Sequence, residues 1–326
     1  MNAPAKDNFG TGIAFIVFGM LCITINDTII KQFSDRYPLH QMVFLRSLIG
    51  ICFSFGLVLF EGGLRALRTS QPLLHLLRAL CLVAANMLFF LALATSPLAD
   101  VTALFFVAPL FITLLSIPIL GEKVGIRRFA AVIVGFVGVL IMLRPGSASG
   151  GAEADRLTLL LPVAAAFAYS VMQILTRKLA LDATASAMAI YTQGTFIIVG
   201  IGFWLIAGDG RFAEGLENPS WIFLLRAWAW PTWEEWPLIL FLGLLSAGIS
   251  YSLARAYRSA DAASIAPFEY VAMPLAIFWG WLVFGDFPDA WVLAGSALIA
   301  GAGIYVFIRE RQRARPNAAR RPRGRA

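Results

Sequence analysis

Four ionisable residues stand inside long apolar stretches of the 326-residue sequence: Asp27, Arg46, Arg78 and Glu269. A charge at bilayer depth costs about 3 kcal/mol on insertion scales, so each needs an opposite charge, a wet cavity or a task. Glu269 is the sharpest case, as the only charge in the 23 residues from Ala262 to Phe284. Pro267 and Pro274 flank it and weaken helical hydrogen bonding nearby. At 1.5 Å rise per residue, Asp27 and Arg46 lie about 6 and 10 Å from the outer ends of their spans. Arg78 and Glu269 lie about 8 and 12 Å from the inner ends of theirs. The depths thus allow two acid–guanidinium pairs, Asp27 with Arg46 and Glu269 with Arg78. Arg78 could instead snorkel to the interface, a route too long for Glu269. A carboxylate so placed is also a candidate proton carrier, unless Arg78 holds it ionised. Asn86, Gln173, Tyr191, Gln193, Ser250, Tyr251 and Tyr270 could line the same path, and Trp279 and Trp281 offer flat faces for an aromatic ligand. Polar residues also hold membrane helices together, so none of these is decisive alone.

The elements that must position these groups are membrane spans. The chain is 59% hydrophobic and 14% charged, with mean hydropathy +0.77, against about 25% charged for soluble domains. Apolar runs of the length a bilayer requires recur at 10–30, 40–60, 73–95, 100–120, 128–144, 157–176, 185–207, 236–256, 262–284 and 288–308. This predicts an all-α membrane protein of ten transmembrane helices. The first run is longer than a signal-peptide core and lacks a small-residue cleavage site, so it reads as a span. Of 26 Lys and Arg, 18 fall on the side of the N-terminus, which places both termini in the cytoplasm. The basic tail 309–326 suits anionic lipid headgroups rather than nucleic acid. Cys22, Cys52 and Cys81 lie in spans as buried thiols and imply no disulfide framework.

The two halves resemble each other. GFVGVLIMLRP (135–145) matches AGAGIYVFIRE (300–310), pairing Gly138 with Gly303 and Arg144 with Arg309 at an offset of 165 that also relates Pro109 to Pro274. Asn26 pairs with Gln173, and Lys31 with Lys178, at an offset of 147. The difference falls in 208–235, a tryptophan-rich insertion expected to form an outer-face interfacial helix. Five spans per repeat force the second repeat to enter the membrane inverted, the arrangement of secondary transporters with a midplane site. The layout is a cytoplasmic N-terminus (1–9), a first repeat (10–145), a linker (146–156), a second repeat (157–308) and the tail. Gly135, Gly138, Gly301 and Gly303 read as close-packing positions. At Glu269 the first repeat carries Leu104 or Phe105, so the fold itself does not require the acid.

No GxxxxGK[ST] loop is present, and His40 and His75 are isolated, so no ATP-driven, metal, cofactor or enzymatic chemistry is expected. NDTIIKQ (26–32), QMVFLR (41–46), PLLHLLR (72–78), APLFITLLSIPILGEK (108–123) and DAASIAPFEYVAMPLAIFWGWLVFGDFPD (261–289) together resemble the drug/metabolite transporter superfamily, in its ten-helix branch with two EamA-type repeats. That resemblance covers about residues 10–310 and implies a carrier with a central cavity between the repeats. Within the branch the motifs are similar to transporters that take up riboflavin or S-adenosylmethionine. Riboflavin is the expected substrate, because the aromatic ninth span suits a flat ring and two arginines offset the acids a cation would want. S-adenosylmethionine uptake, export of amino acids or drugs, and a non-transporting membrane scaffold are the alternatives. The substrate and coupling candidates are Glu269, Arg78, Asp27, Arg46, Asn86, Gln173, Tyr270 and Trp279. Oligomeric state has no signal in the sequence.

Overall fold

The computed structural model describes residues 9–121, 126–143, 153–180, 182–259 and 262–314. The expectations for the leader, for Lys123, for Arg144 and most of the linker, and for the tail beyond 314 lie outside the described residues. In lipid a backbone must satisfy its own hydrogen bonds, and among the described residues the spans are all built from helix. The α-helices are α1 (Phe9–Phe33), α2 (Leu39–Glu61), α3 (Pro72–Leu93), α4 (Leu98–Phe105), α5 (Ala108–Leu120), α6 (Ile126–Leu143) and α7 (Glu153–Lys178). The rest are α8 (Ala185–Ala207), α9 (Pro219–Leu225), α10 (Trp236–Ser259), α11 (Ala262–Ile265), α12 (Ala272–Trp279) and α13 (Ala290–Ala314). Among the described residues, seven helical stretches are long and apolar enough to cross a bilayer, with α4 and α5 forming one of them. Shorter apolar stretches at Ile133–Met142, Phe268–Phe284 and Ala290–Ala302 occupy the fifth, ninth and tenth spans. The burial pattern is that of a protein in lipid. Asn26, Arg46, Arg78, Gln173 and Glu269 are buried, while Phe60, Ile198, Leu205 and Trp281 face outward. Cys52 is exposed too, so not every thiol is enclosed.

Packing repeats the internal symmetry. Exchanging the halves turns α1 into α7, α2 into α8, α3 into α10, α4–α5 into α11–α12 and α6 into α13. Under that exchange the α1–α10 interface becomes α7–α3, α2–α10 becomes α8–α3, and α5–α7 becomes α12–α1; all six are present. The α2–α8 and α6–α13 interfaces map onto themselves. The ten spans therefore form two interlocked five-helix repeats.

The fourth and ninth spans are broken at matching places. α4 and α5 are interrupted at Phe106–Val107, just before Pro109. In the ninth span a 3-10 segment, Ala266–Val271, joins α11 to α12, and Pro274 follows. Gly121 and Gly285 close these spans with φ of 71° each, a left-handed conformation that disfavours larger residues. The 208–235 insertion is less helical than expected. Only Pro219–Leu225 forms a helix, and the remainder is a packed strap. Its Trp228 ring lies 5.3 Å from Phe44 and 5.9 Å from both His40 and Trp204, whereas Trp230 and Trp233 are exposed.

Candidate functional site

A cavity of about 130 Å³ lies between the repeats. Asp27 and Asn26 reach it from α1, Arg46 from α2, and Arg78 and Asn86 from α3. Glu269 enters from the 3-10 segment of the ninth span. The break there aims one turn of the span inward, so its carboxylate meets the cavity instead of running along a regular helix. Phe89, Phe105, Phe106, Phe196 and Tyr169 supply most of the aromatic wall.

The acids and guanidiniums share this cavity, but neither expected pair forms. Arg46 donates from Nη1 to Asn26 Oδ1 at 3.0 Å and from Nη2 to Asn86 Oδ1 at 2.9 Å. Asn26 in turn donates from Nδ2 to Asp27 Oδ1 at 3.0 Å, so an amide stands between the two charges. The Arg46 guanidinium also lies 5.7 and 5.5 Å from the ring centres of Phe90 and Phe196, which fixes its plane.

Arg78 donates from Nε to Thr176 Oγ1 at 2.7 Å and from Nη1 to Thr192 Oγ1 at 3.1 Å, with Met188 O at 3.3 Å. It therefore neither snorkels nor binds Glu269. Glu269 Oε1 accepts from Tyr257 Oη at 2.5 Å and Tyr169 Oη at 2.9 Å. Gln173 donates from Nε2 to Tyr169 Oη at 2.6 Å, which orients that hydroxyl toward the acid. Hydroxyls outcompete the expected ion pair because each charge is met from its own side: Thr176 on α7 and Thr192 on α8 accept from Arg78, while Tyr169 on α7 and Tyr257 on α10 donate to Glu269. The charges remain hydrogen-bonded without meeting.

Five of the eight candidates line the cavity: Asp27, Arg46, Arg78, Asn86 and Glu269. Gln173 acts one residue removed, through Tyr169. Tyr270 is buried against Phe106, 5.6 Å between ring centres, and does not line the cavity. Trp279 packs edge-on against Phe278 at 5.0 Å and is likewise outside it. The aromatic wall thus comes from α3, α4, α7 and α8, not from the tryptophans of the ninth span. Sequence reasoning missed Tyr169, although its place one helical turn before Gln173 was a signal that could have found it. Tyr257, Thr176 and Thr192 carried no sequence signal.

At the two ends of the bundle, polar clusters tie one repeat to the other. On the side of the α1–α2 hairpin, Arg36 Nη1 and Tyr37 Oη reach Glu235 at 2.7 and 2.5 Å, and Arg226 bonds the Asp35 carbonyl. Tyr37 foremost, with the Thr232 amide next, holds the Glu235 carboxyl down at about 2. On the side of the α7–α8 hairpin, Asp182 accepts from Thr69, from both the amide and the hydroxyl of Ser70, and contacts His75 Nε2 at 3.1 Å. These bonds, Ser70 first and Thr69 next, hold its carboxyl well below the usual range. Glu61 adds to the same end, accepting from Ser186 Oγ at 2.7 Å and Tyr251 Oη at 2.8 Å.

Comparison with known proteins agrees with this architecture. Residues 10–144 match the family model described as EamA-like transporter family. A riboflavin transporter of Rhizobium johnstonii is 33% identical over 270 residues, spanning 82% of each chain. An S-adenosylmethionine uptake transporter of Rickettsia prowazekii is 24% identical, over 96% of this chain and 97% of its own. A solved crystal structure, 20% identical, superposes with a TM-score of 0.64 over 96% of this chain and 100% of its own, which speaks for the fold alone. With two interlocked five-helix repeats around a charged cavity, and a relative this similar over most of its length, the chain belongs to the EamA-like transporter family.

Proposed function

We propose that the chain carries riboflavin into the cell, by alternating access of the central cavity between the two repeats. The observation that carries this reading is the charge balance of the cavity. Two acids and two guanidiniums line it, each already hydrogen-bonded by the protein, and phenyl rings form most of the remaining wall. Such a site suits a neutral, flat heteroaromatic ring with polar edges; a sulfonium cation would want an excess of acid. The likeness to a named riboflavin transporter supports the same choice. S-adenosylmethionine uptake is the second reading, favoured by the relative that matches over almost the full chain.

In this reading Asp27, Arg46, Asn86, Arg78 and Glu269 hold substrate, and Glu269 is also the coupling residue, with Gln173 setting the hydroxyl that faces it. Tyr270 and Trp279 take structural places. Residues 10–145 and 157–308 are the two transport repeats. The protein sits in the cytoplasmic membrane with both termini inside, and the basic tail rests on anionic headgroups. The test is growth of a riboflavin-auxotrophic bacterium that expresses the chain. Growth on trace riboflavin is expected. Failure to grow despite normal membrane expression, together with accumulation of labelled S-adenosylmethionine, would transfer the assignment to the second reading.

A further inference from the structure

Arg46 does more at the cavity than neutralise charge. A guanidinium only donates, so the carbonyl oxygens of Asn26 and Asn86 must be the atoms that face it. That fixes both amides. The Asn26 NH2 gives one of its hydrogens to Asp27 Oδ1. The Asn86 NH2 and the second Asp27 oxygen, Oδ2, have no hydrogen-bond partner among the described residues. Both side chains line the cavity, with Phe89, Phe105 and Phe196 among its other walls. A donor and an acceptor are therefore presented together in a largely apolar chamber. Neither atom is sealed away from the cavity, so a ligand that covers them and supplies the complement gains what the protein has left open, whereas one that covers them without pairing leaves both unmatched at a cost.

We infer that the Asp27–Asn86 end of the cavity reads the edge of a cyclic imide or lactam. Asp27 Oδ2 accepts its ring N–H, Asn86 Nδ2 donates to the adjoining carbonyl, and the ring plane lies among the phenyl groups. Arg46 and Asn26 are positioning residues that hold the two reading groups in register. The inference rests on the riboflavin reading, since the pyrimidine edge of a flavin is such an N–H flanked by carbonyls. It goes further by assigning the atoms that select it. A neutral edge suits the site because Arg46 is committed next to Asp27 through Asn26. Discrimination at such a site is steep, because an analogue without the N–H leaves the carboxylate oxygen desolvated and unmatched.

The experiment measures binding of riboflavin and of N3-methylriboflavin to the purified full-length transporter in lipid nanodiscs, by quenching of flavin fluorescence. The wild-type protein is expected to prefer riboflavin by about tenfold or more, the scale of one hydrogen bond to a charged group. Asp27→Ala, which removes the acceptor and leaves room for the methyl group, should erase that preference. Asn86→Leu should weaken both flavins alike, because both keep the carbonyl. Arg46→Lys keeps the positive charge but not the planar pair of donors, and should reduce the preference while the protein stays folded. Equal wild-type affinity for the two flavins overturns the inference and leaves riboflavin uptake standing, and it needs no variant to fold. Binding of neither flavin overturns the riboflavin reading, and the inference with it.

Discussion

Asp35 and Asp182 occupy corresponding hairpin tips, 147 residues apart in sequence and at opposite ends of the bundle. Each is held by the connection that follows the second helix of the other repeat. Asp182 takes bonds from Thr69 and Ser70, between α2 and α3. The Asp35 carbonyl takes one from Arg226, between α8 and α10. The chemistry differs, side-chain acceptor at one end and backbone acceptor at the other, yet the placement is the same. Insertion of the long 208–235 strap did not disturb it. A carrier that opens to one side at a time has to release one of these ties while the other stays closed.

Asp182→Asn should loosen the end nearer the chain termini. It keeps the shape but loses the charge that Thr69, Ser70 and His75 all address. With about 1 kcal/mol lost at this partly solvated cluster, the population open at that end rises about fivefold. The readout is maleimide labelling of a cysteine placed at Ser250, which lines the cavity, in a background without Cys22, Cys52 and Cys81. Probe reaching the cavity from the side of the chain termini should react about fivefold faster. An unchanged rate would mean that the Asp182 cluster is not part of the closure.

The opposite tie sets a pH limit on stability. Glu235 has a folded pKa of about 2, against about 4.3 in an unfolded chain, because Tyr37, Thr232 and Arg36 all stabilise its ionised form. A depressed carboxyl contributes stability that is fully present above the unfolded value and is lost as pH falls through the window from about 4.3 to about 2. Asp182 adds to the loss in the same direction. The contribution of Glu235 to the thermal midpoint in detergent should be constant from pH 5 to 7 and be lost below about pH 4.3. Glu235→Gln should lower the neutral-pH midpoint and make the acid-side fall shallower. A variant with the wild-type acid slope would exclude Glu235 as its source.

Much of this architecture was legible in the sequence, because lipid leaves few solutions: apolar runs of bilayer length must be helices, and an odd repeat must invert. The break around Glu269 was legible too, since Pro267 and Pro274 announce it. The pairing of charges was not. Depth along a helix locates Arg78 and Glu269 at one level but says nothing about which way each faces. Thr176 and Thr192, apparently ordinary span residues, turned out to decide Arg78's partners. Trp279 shows the opposite error. Its chemistry suits an aromatic ligand, but the rotation of the ninth span directs it away from the cavity, and the phenyl groups of four other helices take its place. Among the packing glycines, Gly135 and Gly138 meet close neighbours, whereas Gly301 has nothing within 4 Å.

Because Arg78 and Glu269 keep separate partners, neutralising both should not repair the loss from neutralising one. Arg78→Gln forfeits the Nε and Nη1 bonds to Thr176 and Thr192, and Glu269→Gln replaces an acceptor that two tyrosines address. Each single variant is expected to lower the uptake rate about tenfold, the scale of one hydrogen bond to a charged group. The double variant should be close to the product of the two effects. Recovery in the double variant would instead reveal an ion pair formed during the transport cycle. Uptake into right-side-out vesicles, normalised to membrane expression, separates the two outcomes.

The α6–α13 interface maps onto itself under the repeat exchange and lies outside the cavity lining, which makes it a place to test packing apart from transport. A methyl group on Gly138 would lie 2.7 Å from the Gly295 carbonyl oxygen, and one on Gly295 would lie 2.6 Å from the Gly138 oxygen. Backbone stands on both sides of this contact, so no side chain can rotate to relieve it. Gly138→Ala should therefore push the two helices apart and cost about 1–3 kcal/mol. Gly301→Ala, on α13 itself, meets nothing and should gain up to about 1 kcal/mol from helix propensity. Thermal midpoints should accordingly move in opposite directions by a few degrees, while uptake per folded molecule stays at the wild-type level in both. If Gly138→Ala were as stable as wild type, the two helices would not be in backbone contact, and the self-symmetric seam would have to be held by its larger side chains instead.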